Sequence, residues 1–274
     1  MAIHDLSLCK KFILDSLASN NNNRKNTIAF SYRYFCTKHT SIDEIGPLAE
    51  ALFKLISEND FSVKKSALGS LNTLVYNVPK SIQYANSNFM NALADLCKYK
   101  QELVKEIILG PIKHLIDEGL PLRRSAFGFI DTSLEYLLEK VDYGFIVNLI
   151  MMGISNIWGY FVLMFLADPD DDIQILSYQI LNKLALISPL PLTTDIERLV
   201  DKFNESLTNL NKSLNSKQEG ERVNDCVRAF VRVILTLTRC NEIESIPKFK
   251  DFYQEKVLKN EKLRDIYNQW SASS

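Results

Sequence analysis

The chain has 274 residues, 46% of them hydrophobic and 24% charged, with a formal net charge of −1. That balance is the signature of a folded chain rather than a disordered one, and a pI near 6.3 provides no electrostatic pull toward nucleic acid. The length suits one or two ordinary domains or one elongated array.

Taken in order, the chain reads as helix after helix. Asp5–Ser19 is a first amphipathic helix, with Leu6, Cys9, Ile13 and Leu17 near helical spacing. Asp5, Lys10 and Lys11 interleave its apolar residues, which is not the pattern of a signal peptide. The run Asn20–Asn23 is a polar loop, because asparagine disfavours helix interiors and buries nothing. Helices are predicted near 24–38, 43–58, 62–77 and 88–97, then near 121–140, 143–153 and 170–187. The last group lies near 195–210, 220–239, 248–258 and 260–270.

Three of these helices open alike, at Arg24–Phe30, Ser62–Leu68 and Pro121–Phe127, each with basic residues at the start and then a small residue and a large apolar one. Lys25 and Lys64 are about 39 residues apart, close to the period of helical-pair repeats of the HEAT kind, and Arg123 follows after about 59, one repeat plus an insertion. The stripes Ile173, Leu176, Ile180, Leu181, Leu184, Ile187 and Val223, Cys226, Val227, Phe230, Val231, Ile234 each fall on one helix face. Such faces are buried by stacking on neighbours, so the expected fold is an all-α, HEAT-type α-solenoid of five or six helical pairs. By domain, residues 1–26 are a first helix and Asn-rich loop, 27–270 the repeat array and 271–274 a tail.

The insertion is the stretch Lys100–Phe127. Val104 to Leu109 is rich in Val, Ile and Leu, Gly110-Pro111 breaks any helix, and Ile112 to Asp117 then alternates. Period-two alternation beside a Gly-Pro breaker predicts a β-hairpin over about 104–117; the competing reading is a short helix over 101–109.

Two other segments stand out. Tyr143–Ala167 runs about 25 residues without a charge, long enough for a membrane span. Its Asn148, Ser155, Asn156 and three glycines argue instead for an extra buried helix or an apolar insertion loop. Asp168–Asp172 lacks the glycine and spaced oxygens of a calcium loop, so helix capping is expected there. His4, His39 and His114 have no metal-ligand spacing among themselves or with the cysteines. Cys9, Cys36, Cys97, Cys226 and Cys240 are odd in number and scattered, as for reduced, mostly buried thiols of an intracellular protein. No phosphate-cradling loop or nucleophile elbow is present in the sequence. Arg123-Arg124 and Lys64-Lys65 could meet an acidic partner, but basic pairs at repeat turns read first as solvated residues. The expectation is a non-enzyme without cofactor or metal.

The stretch KQELVKEIILGPIKHLIDEGLPLRRSAF, together with DFSVKKSALGSLN at Asp60–Asn72, NSKQE at Asn215–Glu219 and the chain end from Asp251, resembles the C-terminal region of the cullin-associated, neddylation-dissociated proteins, also described as TATA-binding-protein-interacting. The likeness runs in order from about Thr27 to Trp270, with residues near Ile157–Pro169 inserted relative to the usual pattern. The resemblance implies a protein that clamps an unneddylated cullin with its RING-box subunit. Its C-terminal region lies on the cullin N-terminal domain and excludes the adaptor and substrate-receptor module, so that receptors of a cullin–RING ubiquitin ligase can be exchanged. It implies further that Val104, Lys105, Glu106, Ile107, Ile108, Leu109, Gly110, Pro111, Ile112, Lys113, His114 and Leu115 form the contacting hairpin, with Gly110 and Pro111 at its turn and Ile107, Ile108, Leu109 and Ile112 as its apolar surface. Nuclear and cytoplasmic localisation is expected with the same likeness; that no nucleic acid or membrane is a partner is expected from the charge balance and the interrupted apolar run. Family members are several times longer, which leaves open a fragment or a natural subunit completed by a second chain. A general helical-repeat scaffold in transport or transcription assembly is the alternative.

Overall fold

The computed structural model describes residues 6–34, 42–85, 87–109, 112–139, 168–187, 189–213 and 220–271. These form two compact units, divided near residue 153.

The first unit begins with α1 (Leu6–Leu17), α2 (Asn22–Tyr32), α3 (Ile42–Leu55) and α4 (Phe61–Asn77). Their starts follow local chemistry. The Asn21 side chain accepts the Arg24 N–H at 3.0 Å, and Asp60 accepts that of Val63 at 2.9 Å, each satisfying an amide that has no partner within its helix. A 3-10 turn (Pro79–Tyr84) leads to α5 (Ser87–Cys97), and α6 (Leu120–Glu139) closes the unit after a hairpin. The helices pack in pairs, α1 on α2, α3 on α4 and α5 on α6, while α2, α4 and α6 stack in sequence. Ala29, Ala67 and Ala126, the small residues of the three similar helix openings, are fully buried in this stack. Ser70 donates its hydroxyl to the Ala29 carbonyl across it, and Ser66 donates to Asn26. Phe53, Phe89 and Phe129 join α3, α5 and α6 edge to face, with centroids 4.6 to 6.4 Å apart.

The second unit contains α7 (Asp171–Ile187), α8 (Leu190–Ser213), α9 (Gly220–Thr238), α10 (Asn241–Glu244), α11 (Pro247–Phe252), a π-helical turn (Tyr253–Leu258) and α12 (Glu261–Ser271). Helix α9 is its centre and packs on α7, α8, α10 and α12. All six predicted stripe residues of α9 are buried. On α7, Ile173, Ile180, Leu181 and Leu184 are buried, with Leu176 and Ile187 at the margin. Phe230 contacts the rings of Tyr178, Phe203 and Phe252 at 5.6, 5.4 and 6.5 Å.

The architecture is the expected one: an α-helical repeat with one inserted two-stranded hairpin. The helix predicted near 24–38 ends at Tyr32, and the one predicted near 195–210 spans Leu190–Ser213. The Asp168–Asp172 cluster caps α7 as anticipated: Asp170 accepts the Ile173 N–H at 3.2 Å, and Asp168 accepts that of Asp170 at 3.0 Å. Among the described residues no helix is long and apolar enough to cross a membrane, and no three of His, Cys, Asp and Glu gather into a metal-binding group. The helix predicted at 143–153, the apolar run Tyr143–Ala167, His4 and His39 lie outside the described residues.

Candidate protein-interaction site

The hairpin consists of β1 (Val104–Leu109) and β2 (Ile112–Asp117), paired antiparallel. The strand reading of Val104–Leu109 therefore holds over the competing helix. Pairing of Leu109 with Ile112 leaves residues 110 and 111 to join the strands; Gly110 and Pro111 lie outside the described residues. Among the described elements, the strands pack extensively only on each other.

Register fixes what each side of the ribbon offers. Strand positions 105, 107, 109, 112, 114 and 116 share one side, and 104, 106, 108, 113, 115 and 117 the other. On the first side Ile107, paired with His114, has Ile116 as its diagonal neighbour; on the second Ile108, paired with Lys113, has Leu115. Leu115 is 73% exposed and Ile108 65%, with Ile116 and Ile107 less so. Of the residues expected to form the apolar surface, the pleat sends Ile107 and Ile108 to opposite faces. The ribbon is apolar on both.

An isolated two-stranded hairpin is marginal in water, so its base matters. Asp117, the last residue of β2, receives the Gly119 and Leu120 N–H groups on Oδ1 at 2.9 and 3.1 Å. Its Oδ2 lies 2.8 Å from the Arg123 guanidinium in the first turn of α6. Arg123 is buried and also sits over the Tyr99 ring at 5.2 Å. The Glu118 N–H donates to the Leu103 carbonyl at 3.0 Å, extending the ladder past the strand ends. Gly119 packs closely here: a Cβ would stand 2.9 Å from Leu103 Cδ1 and 3.2 Å from Asp117 Oδ1. Ion pairs Lys105–Glu118 at 2.7 Å and Lys113–Glu106 at 2.8 Å run across the ribbon. Charges on an open two-stranded ribbon also disfavour strand addition by other chains.

Beneath the hairpin, Asp95 accepts from Lys100 at 2.6 Å, and this hydrogen bond is the main cause holding its carboxyl below the ordinary value. Burial pushes the adjacent Cys97 thiol well above its usual range, keeping it protonated and unreactive. None of this is catalytic geometry. It is a rigid mount under an exposed apolar ribbon.

The ribbon lies where the alternation predicts it, but its anchor departs from the pattern. Arg123 was expected to be solvated; it is instead 2% exposed and paired with Asp117. Lys25 likewise is buried and meets Glu58 at 2.7 Å. The one available signal was an aspartate just ahead of a helix start.

A family model described as TATA-binding protein interacting (TIP20) matches residues 81–256. Among relatives, the Dictyostelium discoideum protein named cullin-associated NEDD8-dissociated protein 1 is 28% identical over 236 residues, covering 85% of this chain and 18% of that protein. The Arabidopsis thaliana protein of the same name is 29% identical over 211 residues, 76% of this chain and 16% of that one. An Emericella nidulans protein named as the C-terminal part of cullin-associated NEDD8-dissociated protein 1 is 23% identical over 212 residues, 77% of this chain and 19% of that one. The chain thus spans under a fifth of the length of these relatives. Among solved structures, an engineered protein superposes with a TM-score of 0.59 at 12% identity, covering 97% of this chain and 96% of the other. A computationally designed armadillo repeat protein gives 0.55 at 12% identity, covering 94% and 96%. These two likenesses place the fold among armadillo- and HEAT-like helical repeats.

Proposed function

Because the chain belongs to the TATA-binding protein interacting (TIP20) family, we propose that it is the C-terminal part of a cullin-binding regulator that promotes substrate-receptor exchange on cullin–RING ubiquitin ligases. In this reading it binds the N-terminal domain of an unneddylated cullin carrying its RING-box subunit, in cytoplasm and nucleus.

The observation that carries the reading is the hairpin: Ile107, Ile108, Leu115 and Ile116 are held out in water on a ribbon locked at its base by Asp117 and Arg123. Exposed aliphatics on a rigid projection cost solubility unless a partner covers them. Each fully buried aliphatic side chain contributes about 1.5–3 kcal/mol, so a few anchors supply most of the affinity. The base lock reduces the ordering that binding must otherwise impose. If the hairpin and an adaptor occupy the same cullin surface, each weakens the other by the same free energy, and exchange needs no catalytic group.

The test is competition. The 274-residue chain, alone and with the N-terminal portion of a family clamp, is titrated against unneddylated cullin–RING-box complex with and without saturating adaptor–receptor module. The reading expects mutual displacement that weakens sharply in the Ile108→Asp, Leu115→Asp variant. Binding that ignores the hairpin variant removes the hairpin from the mechanism. No binding even by the completed clamp favours a general scaffold.

A further inference from the structure

A hairpin that lays one face on a core and shows the other to water alternates apolar and polar residues, because successive side chains point to opposite faces. This ribbon keeps no such alternation. Ile107, Ile108 and Leu109 run without a break at the end of β1, and Leu115 and Ile116 are adjacent in β2. By register, Ile107, Leu109, Ile112 and Ile116 belong to one side, and Val104, Ile108 and Leu115 to the other. Unbroken apolar runs are the pattern of strands covered on both faces.

The described elements leave both sides open. Ile116 and Ile107 are 45% and 39% exposed on one side, and Leu115 and Ile108 more so on the other. The ribbon's charges stand in balanced pairs. Glu106 and Lys113, on the side of Ile108 and Leu115, meet at 2.8 Å, and Lys105 meets Glu118 at the base at 2.7 Å. A surface laid on the side of Ile108 and Leu115 therefore faces a neutral pair between two aliphatics, not a lone ion.

Resting on the cullin-binding reading above, we infer that the ribbon is enclosed: the cullin presents a cleft with two apolar walls, one over Ile107 and Ile116 and one over Ile108 and Leu115. A single flat surface reaches only one side of a two-stranded ribbon and leaves an aliphatic pair in water in the complex. Face-to-face packing sets each wall about 10 Å from the plane of the strands. The wall facing Ile107 and Ile116 also meets His114, which pairs with Ile107, and so carries a hydrogen-bonding group at that point. The buried Arg123–Asp117 pair at the base holds the ribbon for entry.

Each side is tested separately. A photo-reactive benzoylphenylalanine replaces Ile107 or Ile108 in the 274-residue chain, which is combined with the N-terminal portion of a family clamp and unneddylated cullin–RING-box complex. Both positions are expected to cross-link to the cullin, through different segments of it. In titrations, Ile107→Asp, Ile116→Asp on one side and Ile108→Asp, Leu115→Asp on the other are each expected to weaken binding about tenfold or more. Amide exchange of residues 104–117 in the free variants checks that the ribbon still forms; where Ile116→Asp disrupts it, Ile107→Asp alone takes its place. Cross-linking from one position only, or from both to one shared segment, overturns the cleft while the cullin-binding reading stands. Unchanged affinity after substitution on one side does the same. Cross-links to this chain itself, or to a second copy, overturn the cleft by giving the ribbon another cover. A parent chain that binds no cullin overturns the cullin-binding reading, and the cleft with it.

Discussion

Arg123 and Asp117 lie 2.8 Å apart at the junction of hairpin and helix, the guanidinium almost wholly buried and the carboxylate largely so. The same carboxylate receives the amides that open α6. One side chain therefore ends a strand, starts a helix and holds a cation over Tyr99.

Removing one partner of such a pair strands the other charge in a poorly solvated place. Arg123→Leu is expected to cost about 3 kcal/mol, toward the lower end for a buried pair because Asp117 keeps some solvent. Arg123→Lys recovers part of this, since an ammonium lacks the guanidinium fork. Urea denaturation gives the stability, and amide exchange at residues 104–117 is expected to accelerate more than in α4.

The hairpin tip behaves oppositely. Ile108→Asp and Leu115→Asp change water-exposed side chains, so stability is expected to shift by no more than about 0.5 kcal/mol, while solubility rises. Thermal melts and light scattering at increasing concentration check this. A large loss of stability would mean that these residues pack on the chain itself.

Cys226 is 1% exposed, and burial first, with Asp171 and Asp225 adding to it, pushes its thiol from the ordinary 9.0 up to about 12. Above pH 9.0 the unfolded chain releases this proton while the folded chain keeps it. Stability from this group is therefore full below that pH and falls as pH rises toward about 12, by up to about 1.4 kcal/mol per pH unit. Chemical denaturation between these limits is expected to show a shallower decline for Cys226→Ala than for the parent. Alkylation of Cys226 by iodoacetamide is expected only on unfolding.

Two glycines separate fit from backbone preference. A Cβ at Gly128 meets nothing within 4 Å, so Gly128→Ala inside α6 is expected to stabilise by about 0.5–1 kcal/mol. At Gly46 a Cβ would collide with the Tyr84 hydroxyl, and Gly46→Ala is expected to destabilise. Paired melting curves decide both.

How far the sequence reaches is clearest at the hairpin. Its bounds are legible because a Val/Ile-rich run, a Gly-Pro breaker and alternation favour two strands over the competing helix at 101–109, and the observed strands are Val104–Leu109 and Ile112–Asp117. The stripes of α7 and α9 are legible because burial there repeats with the helical period. Arg123 was not, because charge is written in a sequence and burial is not; its partner lies across a turn, at a separation no helical or strand period marks. The short helix Asn241–Glu244 has too few residues to show periodicity, and the π-helical turn Tyr253–Leu258 merges in pattern with the helix before it.

The hairpin leaves the array between α5 and α6, inside a helical pair rather than at either end of the chain. Its tip can therefore drift under selection without disturbing a helix interface. Residues 107, 108, 115 and 116 stand in water while Arg123 is buried against Asp117 at the base, so the ribbon's surface chemistry can be rewritten at almost no cost to folding.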